Sequence, residues 1–245
     1  MKKILLPAVC LLLILSVLGA PSRVCADDGN VSLVPKFTFS ETLEEQEKEL
    51  ADNPLLARFA ESRKQLLEDP HYPRYHFSSP EHRLNDPNGL CYWQGRWHLF
   101  YQGYPPEDPR QHWGHAVSDD LIHWRDLPYA IYPNPERACY SGSALVEEDR
   151  VIAMYHGTTV GSMVAVSSDP LLLNWEKVTG QAVIPHAKPG EPKLPYNIFD
   201  PCIWKQGELT GFPPQVRCTM LRNGCFARWP FRPAVPRRRS SPKVQ

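Results

Sequence analysis

The stretch "HRLNDPNGLCYWQGRWHLFYQ", residues 82–102, predicts the fold of the chain. It contains two runs rich in aromatic and branched residues, separated by Gln94 and Gly95, a pair that is typical of a tight turn. A single carboxylate, Asp86, stands beside Pro87 where the first run begins. The stretch therefore predicts a β-hairpin with one acid at the start of its first strand.

Two parts of this region recur later in the chain. The segment "AVSDDLIHW", residues 116–124, returns as "AVSSDPLLLNW", residues 165–175. The segment "DPNGLCYWQG", residues 86–95, returns as "DPCIWKQG", residues 200–207, with a gap where Asn88, Gly89 and Leu90 would fall and one added residue before the final Gln-Gly. Hairpins repeating about every 50 residues are typical of β-propeller blades, because one blade must stack on its neighbours to bury both faces. Chance similarity among β-rich segments is the alternative.

The repeat gives Asp86 and Asp200 equivalent positions at the starts of blade strands. First strands converge on the axis of a propeller, so two acids distant in sequence are expected to face one small ligand. Two carboxylates suit the cleavage of a glycosidic bond, whose transition state carries positive oxocarbenium character. An Asp-Pro pair taken alone is more often a turn or a strand start than a catalytic site.

Five ordered motifs between Tyr75 and Glu208 resemble glycoside hydrolase family 32, which contains invertases, levanases and inulinases. The motifs are "HFSSPEHRL", "NDPNG", "FYQ", "HWGHAVSDDLIHW" and "YSGSA", beginning at residues 76, 85, 100, 112 and 140. The resemblance implies an all-β five-bladed propeller, here incomplete, with about two blades and the start of a third. It also implies a retaining mechanism on fructosyl bonds of sucrose, inulin or levan, without metal or organic cofactor.

The resemblance assigns roles to residues of this sequence. It makes Asp86 the nucleophile and Asp200 the transition-state stabiliser. The residues implied to bind the fructose are Asn85, Gln102, Trp113, Tyr140 and Ser141. Tyr140 stands where the family usually has phenylalanine. The indole of Trp113 is expected to offer an apolar face to a sugar ring, and simple core packing is the alternative.

Two departures bear on catalysis. Phe199 precedes Asp200 where the family has arginine, and a phenylalanine side chain neither donates hydrogen bonds nor carries charge. Either the substrate preference differs or another residue supplies the missing cation. The family's general acid, a Glu followed by Cys, has no counterpart, and the last carboxylate, Glu208, falls at a hairpin turn. Loss of proton delivery costs about 10²- to 10⁴-fold in rate, so impaired activity is expected.

From residue 209 the sequence changes character. It reads "LTGFPPQVRC", with paired prolines that a central strand does not accommodate. Residues 209–245 hold eight of the 27 Lys and Arg residues and none of the 27 acids. A frameshifted or prematurely ended gene would give such a change, and a divergent tail is the alternative. Missing blades would leave an exposed sheet edge and a poorly stable chain. A nucleic-acid-binding arm is disfavoured because the basic residues are not interleaved with aromatic ones.

The N-terminal part divides into two segments. Lys2 and Lys3 precede an apolar run of about 15 residues, which is shorter than a membrane span and is typical of a secretory signal peptide, with a membrane anchor as the alternative. The predicted units are a signal peptide at 1–26, a helical extension at 27–74, a partial propeller at 75–208 and an aberrant tail at 209–245. Export to the periplasm or the exterior follows, with no membrane contact after signal cleavage.

The remaining chemistry-bearing residues predict no additional site. The five cysteines beyond residue 26 have no CxxC spacing, so buried free thiols are expected. His112 and His115 have no carboxylate at metal-ligand spacing and are predicted to lie in the core or at its rim. The sequence thus indicates a secreted fructosidase-type hydrolase. The rival interpretations are a non-catalytic carbohydrate-binding propeller and a hydrolase of another furanoside.

Overall fold

The computed structural model describes residues 31–188, 190–192, 194, 199–206, 215–219 and 226–229. The predicted signal peptide, residues 1–26, and most of the predicted tail lie outside the described residues. Within the described ranges, no helix is long and apolar enough to cross a membrane.

Two α-helices precede the β-structure, α1 at Leu43–Ala51 and α2 at Pro54–Leu67. Each helix begins at a residue whose side chain caps it, Thr42 for α1 and Asn53 for α2. The Thr42 hydroxyl accepts a hydrogen bond from the backbone N–H of Glu45 and donates one to its carboxylate. The Asn53 side chain accepts from the first backbone N–H groups of α2, which have no partner within the helix.

The first two sheets are antiparallel and follow the chain order. The first contains β1 at Pro87–Trp93, β2 at Arg96–Gly103, β3 at His112–Ser118 and β4 at Arg125–Ile131. The second contains β5 at Cys139–Val146, β6 at Val151–Gly157, β7 at Gly161–Ser167, β8 at Glu176–Lys177 and β9 at Ile184–Pro185, with β8 and β9 both pairing with β7. The predicted turn at Gln94 and Gly95 joins β1 to β2, and both residues have positive φ, as a two-residue hairpin loop requires.

A third sheet contains β10 at Cys202–Gln206, β11 at Gln215–Thr219 and β12 at Phe226–Trp229. Two segments of the predicted tail, β11 and β12, continue this sheet from β10 in sequence order. The paired prolines, Pro213 and Pro214, come before the first residue of β11 and not within a strand. A strand can therefore begin directly after them.

The sheets stack through apolar faces. One core lies between the first and second sheets, and its members are Cys91, Trp93, Phe100, Trp113, Ala130, Ile131, Cys139, Val151, Ala153, Tyr155, Met163, Ala165, Leu172 and Trp175. The opposite face of the second sheet packs on the third sheet through Ile152, Met154 and Ile203. β1 lies against β5, and β5 lies against β10. First strands that neighbour one another in this way are those of propeller blades, which confirms the all-β, incomplete-propeller prediction.

The helices pack on the outer part of the first sheet. Leu55 and Phe59 are buried, and the Phe59 ring meets Tyr129 of β4 edge-on at 5.9 Å between centroids. The contact of α2 with the sheet does not reach the last residue of the helix, because Leu67 is 49% exposed. The end of α2 therefore extends past the part of the helix that packs on the first sheet.

The buried polar residues of the sheets include several histidines. His98 and His115 are fully buried and lie 3.0 Å apart between Nδ1 and Nε2, and His112 is fully buried beside Ser32. The prediction that His112 and His115 belong to the core is confirmed. The thiol prediction holds for Cys91 and Cys139 but is wrong for Cys202, the first residue of β10, whose side chain is exposed.

We predict that Phe59→Ala destabilises the protein by about 3–5 kcal/mol, because it removes a buried ring and leaves a cavity between α2 and β4. Leu67→Ala, on the same helix but exposed, is the matched control and should change the free energy of unfolding by less than about 0.5 kcal/mol. Urea denaturation measures both. Equal effects of the two substitutions would contradict the packing described for α2.

The buried histidines predict acid sensitivity. Burial lowers the pKa of His98 and of His112 to about 4, whereas an unfolded histidine titrates near 6.5. Between these pH values the unfolded chain binds protons that the folded chain does not, so stability falls as the pH falls from about 6.5 to about 4. Each such histidine contributes a slope of up to about 1.4 kcal/mol per pH unit.

Urea denaturation at pH 7 and pH 5 measures this dependence. His98→Asn should make it shallower, and His71→Asn, at an exposed position, should leave it unchanged. A His98→Asn variant with the full wild-type slope would show that this ring does not carry the effect.

Candidate functional site

Asp86 is held by hydrogen bonds from two neighbouring strands. The hydroxyl of Ser141, in β5, donates to its Oδ2 at 2.8 Å, and the amide of Gln102, in β2, donates to the same oxygen at 3.3 Å. The Gln102 amide also donates to the Ser141 hydroxyl at 2.7 Å. Asp86 itself is exposed, so its carboxylate is oriented by buried partners and remains accessible to a ligand.

The backbone fixes where this carboxylate stands. Asp86 directly precedes β1, and its carbonyl accepts the backbone N–H of Gln102 at 3.0 Å. The backbone N–H of Asn85 donates in turn to the Gln102 carbonyl at 3.3 Å. The β1–β2 hairpin therefore extends past its last regular pair and places Asn85, Asp86 and Gln102 together, as the sequence predicts.

Asn85 extends the network with two residues that the sequence analysis did not identify. Its amide donates to Gln102 Oε1 at 2.8 Å and to the Tyr104 hydroxyl at 3.1 Å, and Gln111 donates to that hydroxyl at 3.0 Å. The spacing of Gln102 and Tyr104 is a signal that could have revealed the second residue, because side chains two apart on an extended chain share a face.

Trp113 corrects an expectation. Its side chain is 0% exposed and lies between Phe100 and Tyr155, at centroid distances of 5.4 and 5.5 Å. It therefore offers no free face to a sugar ring, and the alternative of core packing applies. Its contribution to the site is indirect, because the indole N–H donates to the carbonyl of Tyr140 at 2.9 Å.

A bulge in β5 separates the directions of Tyr140 and Ser141. The pairing of β5 with β6 shifts between Cys139 and Gly142, so the two residues between them are not in regular register. Ser141 reaches Asp86, whereas the half-buried Tyr140 ring lies 5.8 Å from the ring of His156. At Gly142, a Cβ atom would overlap the backbone of the opposite strand, so only glycine allows this approach of β5 to β6.

Asp200 occupies the position in the third sheet that Asp86 occupies in the first. It is followed by Pro201 and β10, and the Ser143 hydroxyl ties this segment to β5 by donating to the Pro201 carbonyl and accepting from the Ile203 N–H. Burial and the negative charge of Asp86 raise the pKa of Asp200. The two carboxylates are thus close enough to repel each other, with β5 between their strands.

Phe199, the residue that replaces the expected arginine, is 49% exposed, and its ring lies 5.2 Å from that of His156. Within the described part of the chain, no cation lowers the pKa of Asp200, so the expectation that another residue supplies the missing positive charge is not met there. Among the same residues, no three His, Cys, Asp or Glu side chains cluster as metal ligands. Glu208 lies outside the described residues.

This arrangement brings six of the seven predicted residues to the edge of the three sheets where their first strands begin. It offers an accessible carboxylate, a second carboxylate of raised pKa, and amide and hydroxyl groups that can bind sugar hydroxyls. Such a set suits a neutral, hydroxyl-rich ligand. An accessible carboxylate is also a group that can attack a carbon that develops positive charge.

Comparisons with known proteins agree with this chemistry. Residues 76–211 match the family described as glycosyl hydrolases family 32 N-terminal domain. A levanase of Bacillus subtilis (strain 168) is 38% identical over 130 residues, which are 46% of this chain and 19% of the levanase. A sucrose-6-phosphate hydrolase of Klebsiella pneumoniae is 42% identical over 108 residues, which are 42% of this chain and 23% of that enzyme.

The fold has a counterpart among solved structures. The structure of sucrose-6-phosphate hydrolase from Lactobacillus gasseri matches with a TM-score of 0.51 and 26% identity, over 69% of this chain and 35% of that one. The chain therefore spans about a third of that structure, and about a fifth of the two relatives above.

We predict that Asp86→Asn lowers the pKa of Asp200 toward the ordinary range of aspartate, because the substitution removes the repelling charge and keeps the shape of the side chain. Carbon-13 NMR titration of the Asp200 carboxyl group measures the shift. Asp119→Asn, an exposed acid at the far end of β3, is the control and should leave this pKa unchanged. An unchanged titration in Asp86→Asn would show that the two carboxylates do not interact.

Proposed function

Because the chain belongs to glycosyl hydrolase family 32, we propose that its sheets form the fructosyl-binding part of a retaining β-fructofuranosidase-type hydrolase. The observation that carries the proposal is the hydrogen bonding of Asp86, whose carboxylate is exposed to a ligand and oriented by Ser141 and Gln102. The similarity to a levanase and to sucrose-6-phosphate hydrolases supports fructosides as the ligand class. The ligand proposed here is thus a fructosyl unit of sucrose, inulin or levan.

In the proposed reaction, Asp86 attacks the anomeric carbon of the fructosyl unit. The carbon–oxygen bond to the leaving group breaks as a covalent fructosyl ester forms, and water then hydrolyses this ester with retention of configuration. Two hydrogen bonds to Oδ2 hold that oxygen in place and leave Oδ1 as the attacking atom. Asn85 and Gln102 bind hydroxyl groups of the sugar.

Asp200 acts as the transition-state stabiliser in this proposal. Its pKa is raised by burial and by the charge of Asp86, so ionising Asp200 in the empty site costs more free energy than ionising an ordinary aspartate. Positive charge that develops on the sugar ring offsets this repulsion. The stabilisation by Asp200 is therefore greater in the transition state than in the ground state, which is what lowers a barrier.

Proton delivery to the leaving group is the weak step. A Glu-Cys pair, which the family resemblance implies for the general acid, is absent from these 245 residues. Without such an acid the leaving oxygen departs as an alkoxide or takes its proton from water, at a cost of about 10²- to 10⁴-fold in rate. We propose that the chain binds fructosides and hydrolyses them slowly.

A second function, carbohydrate binding without hydrolysis, is favoured by the same departures. Phe199 replaces a charged residue beside Asp200, and the acid is absent, whereas the hydrogen bonds that orient Asp86 are complete. A site with these properties retains contacts to sugar hydroxyls and lacks a route for the proton. Binding and hydrolysis assays separate the two functions.

The proposal extends to domain organisation and location. A signal peptide at residues 1–26 would direct the chain to the periplasm or the exterior, where sucrose and fructans are accessible to it. Residues 27–74 would serve as an extension that covers the outer part of the first sheet, since Leu55 and Phe59 pack there. Residues 75–208 would carry the site, and 209–245 would be an unrelated tail apart from its two strands.

We predict that Asp86→Asn abolishes fructose release from sucrose, inulin and levan, because an amide does not attack the anomeric carbon. The affinity for the sugar should change by less than about tenfold, because the side chain keeps its shape and one acceptor oxygen. Release of fructose and calorimetric binding of sucrose measure the two effects. Asp149→Asn, at the opposite end of the second sheet, is the matched control and should behave as the wild type.

Equal rates for Asp86→Asn and wild type would exclude Asp86 as the nucleophile. Binding without hydrolysis in the wild type would establish the carbohydrate-binding alternative. A wild-type protein that neither binds nor hydrolyses these sugars would contradict both functions.

A further inference from the structure

His156 lies beside the proposed site and has no part in the mechanism above. It belongs to β6, on the face of the second sheet that packs toward the third. Its side chain is 5% exposed and is surrounded by the rings of Tyr140, Phe199 and His186, at centroid distances of 5.8, 5.2 and 5.1 Å. This position is between the segment that carries Ser141 and the segment that carries Asp200.

The hydrogen bonding of this cluster is incomplete. Within the described part of the chain, Nδ1 of His156 is buried and has no hydrogen-bond partner. Ser162 lies directly opposite His156 on β7, and its hydroxyl is also buried without a partner. Cross-strand neighbours point to the same face of a sheet, so two unsatisfied polar side chains stand next to each other. Burying a polar group without a partner is costly, and native structures contain few such groups.

The other residues on this face of β6 are apolar. Ile152 and Met154 occupy the positions before His156 on this face of β6 and pack in the core between the second and third sheets. Packing alone therefore does not require an imidazole at the end of the strand. A polar group that is buried and unpaired, and that lies between the residues preceding Ser141 and Asp200, is what a binding site contains before its ligand arrives.

Two departures from the family pattern meet at this residue. Tyr140 stands in place of phenylalanine, and Phe199 stands in place of the arginine before Asp200. Both rings contact His156, although their positions are 59 residues apart in the sequence. The loss of a hydrogen-bond donor at position 199 thus coincides in space with an unpaired imidazole.

We propose that His156 is a substrate-binding residue whose imidazole hydrogen-bonds a hydroxyl group of the furanoside, in place of the missing arginine. The inference rests on the proposed function, since it adds a contact to the same sugar site. Under this proposal, the side chains of Tyr140, His156 and Phe199 form one wall of the sugar site. This wall determines which furanosides bind.

The chemistry of the residue defines the ligand class. Burial, together with the charge of nearby His186, lowers the pKa of His156 to about 4, so the ring is neutral near pH 7. A neutral imidazole has one N–H donor and one nitrogen acceptor, which matches a sugar hydroxyl, itself both donor and acceptor. Arginine has only donors and a permanent charge. The wall therefore suits a neutral hydroxyl-bearing furanoside and does not neutralise an anionic group.

The test uses the full chain and two named probes, sucrose and fructose. His156→Phe keeps an aromatic ring in contact with Tyr140 and Phe199 but removes both nitrogens. We expect it to weaken the binding of each sugar about tenfold, because one hydrogen bond to the sugar is lost. The melting temperature should stay unchanged or rise, because an unsatisfied buried polar group is removed. His156→Gln, which retains a donor and an acceptor, should recover part of the affinity. Phe199→Arg in the His156→Phe background should also restore binding.

The matched control is His98→Phe. His98 is likewise buried with one unpaired ring nitrogen, but it lies between the first and second sheets and is assigned no role at the site. This substitution should leave sugar affinity unchanged, whatever its effect on the melting temperature. Calorimetric titration measures affinity, and scanning calorimetry measures the melting temperature.

The outcomes separate this inference from the proposed function. Ser141→Ala should weaken sugar binding because Asp86 and Gln102 lose a shared hydrogen-bond partner. If Ser141→Ala weakens binding but His156→Phe binds the sugars as the wild type does, the inference about His156 is wrong and the proposed function stands. His156 would have a purely structural role if His156→Phe lowers the melting temperature and the affinity is not recovered by either rescue. The two rescues are the His156→Gln substitution and the addition of Phe199→Arg. A wild-type chain that binds neither sugar would overturn both.

Discussion

The burial of Trp113 between the first and second sheets connects the core to the site. Its ring has no exposed surface and packs on Phe100 from its own sheet and Tyr155 from the next. A β-sheet in water is stable only when its apolar face is covered, so the two sheets depend on this contact. The same indole donates its N–H to Tyr140, immediately before the serine that orients Asp86. Packing and site geometry therefore depend on one side chain.

The site contains two acids, and in the part of the chain that the structure describes no cation lowers the pKa of Asp200. Repulsion between Asp86 and Asp200 is relieved either by a proton or by positive charge on a bound sugar. Such a site suits the proposed fructosyl ligand, which develops positive charge during reaction. The neutral imidazole of His156 fits the same description, because it adds hydrogen bonding without charge.

Much of this arrangement was predictable because the signals are local. The repeated Asp-Pro before a β-rich run correctly indicated that residues 86 and 200 precede the first strands of two sheets. The turn at Gln94 and Gly95 followed from residue type alone. The direction of Trp113 was not predictable, because every residue of β3 is buried and the strand shows no alternation of polar and apolar residues that would distinguish its faces. His156 was not identified because its neighbours come from three separate segments.

The hydrogen bond between Ser141 and Asp86 joins residues from two different sheets, 55 positions apart. This hydrogen bond, 2.8 Å long, is lost when its donor and acceptor move to about 3.6 Å apart. The carboxylate of Asp86, the proposed nucleophile, is thus aligned only while the two blades keep their spacing. The orientation of this carboxylate therefore depends on the spacing between the first and second sheets. A substitution that increases this spacing would displace Asp86 even if the substituted residue does not contact the ligand.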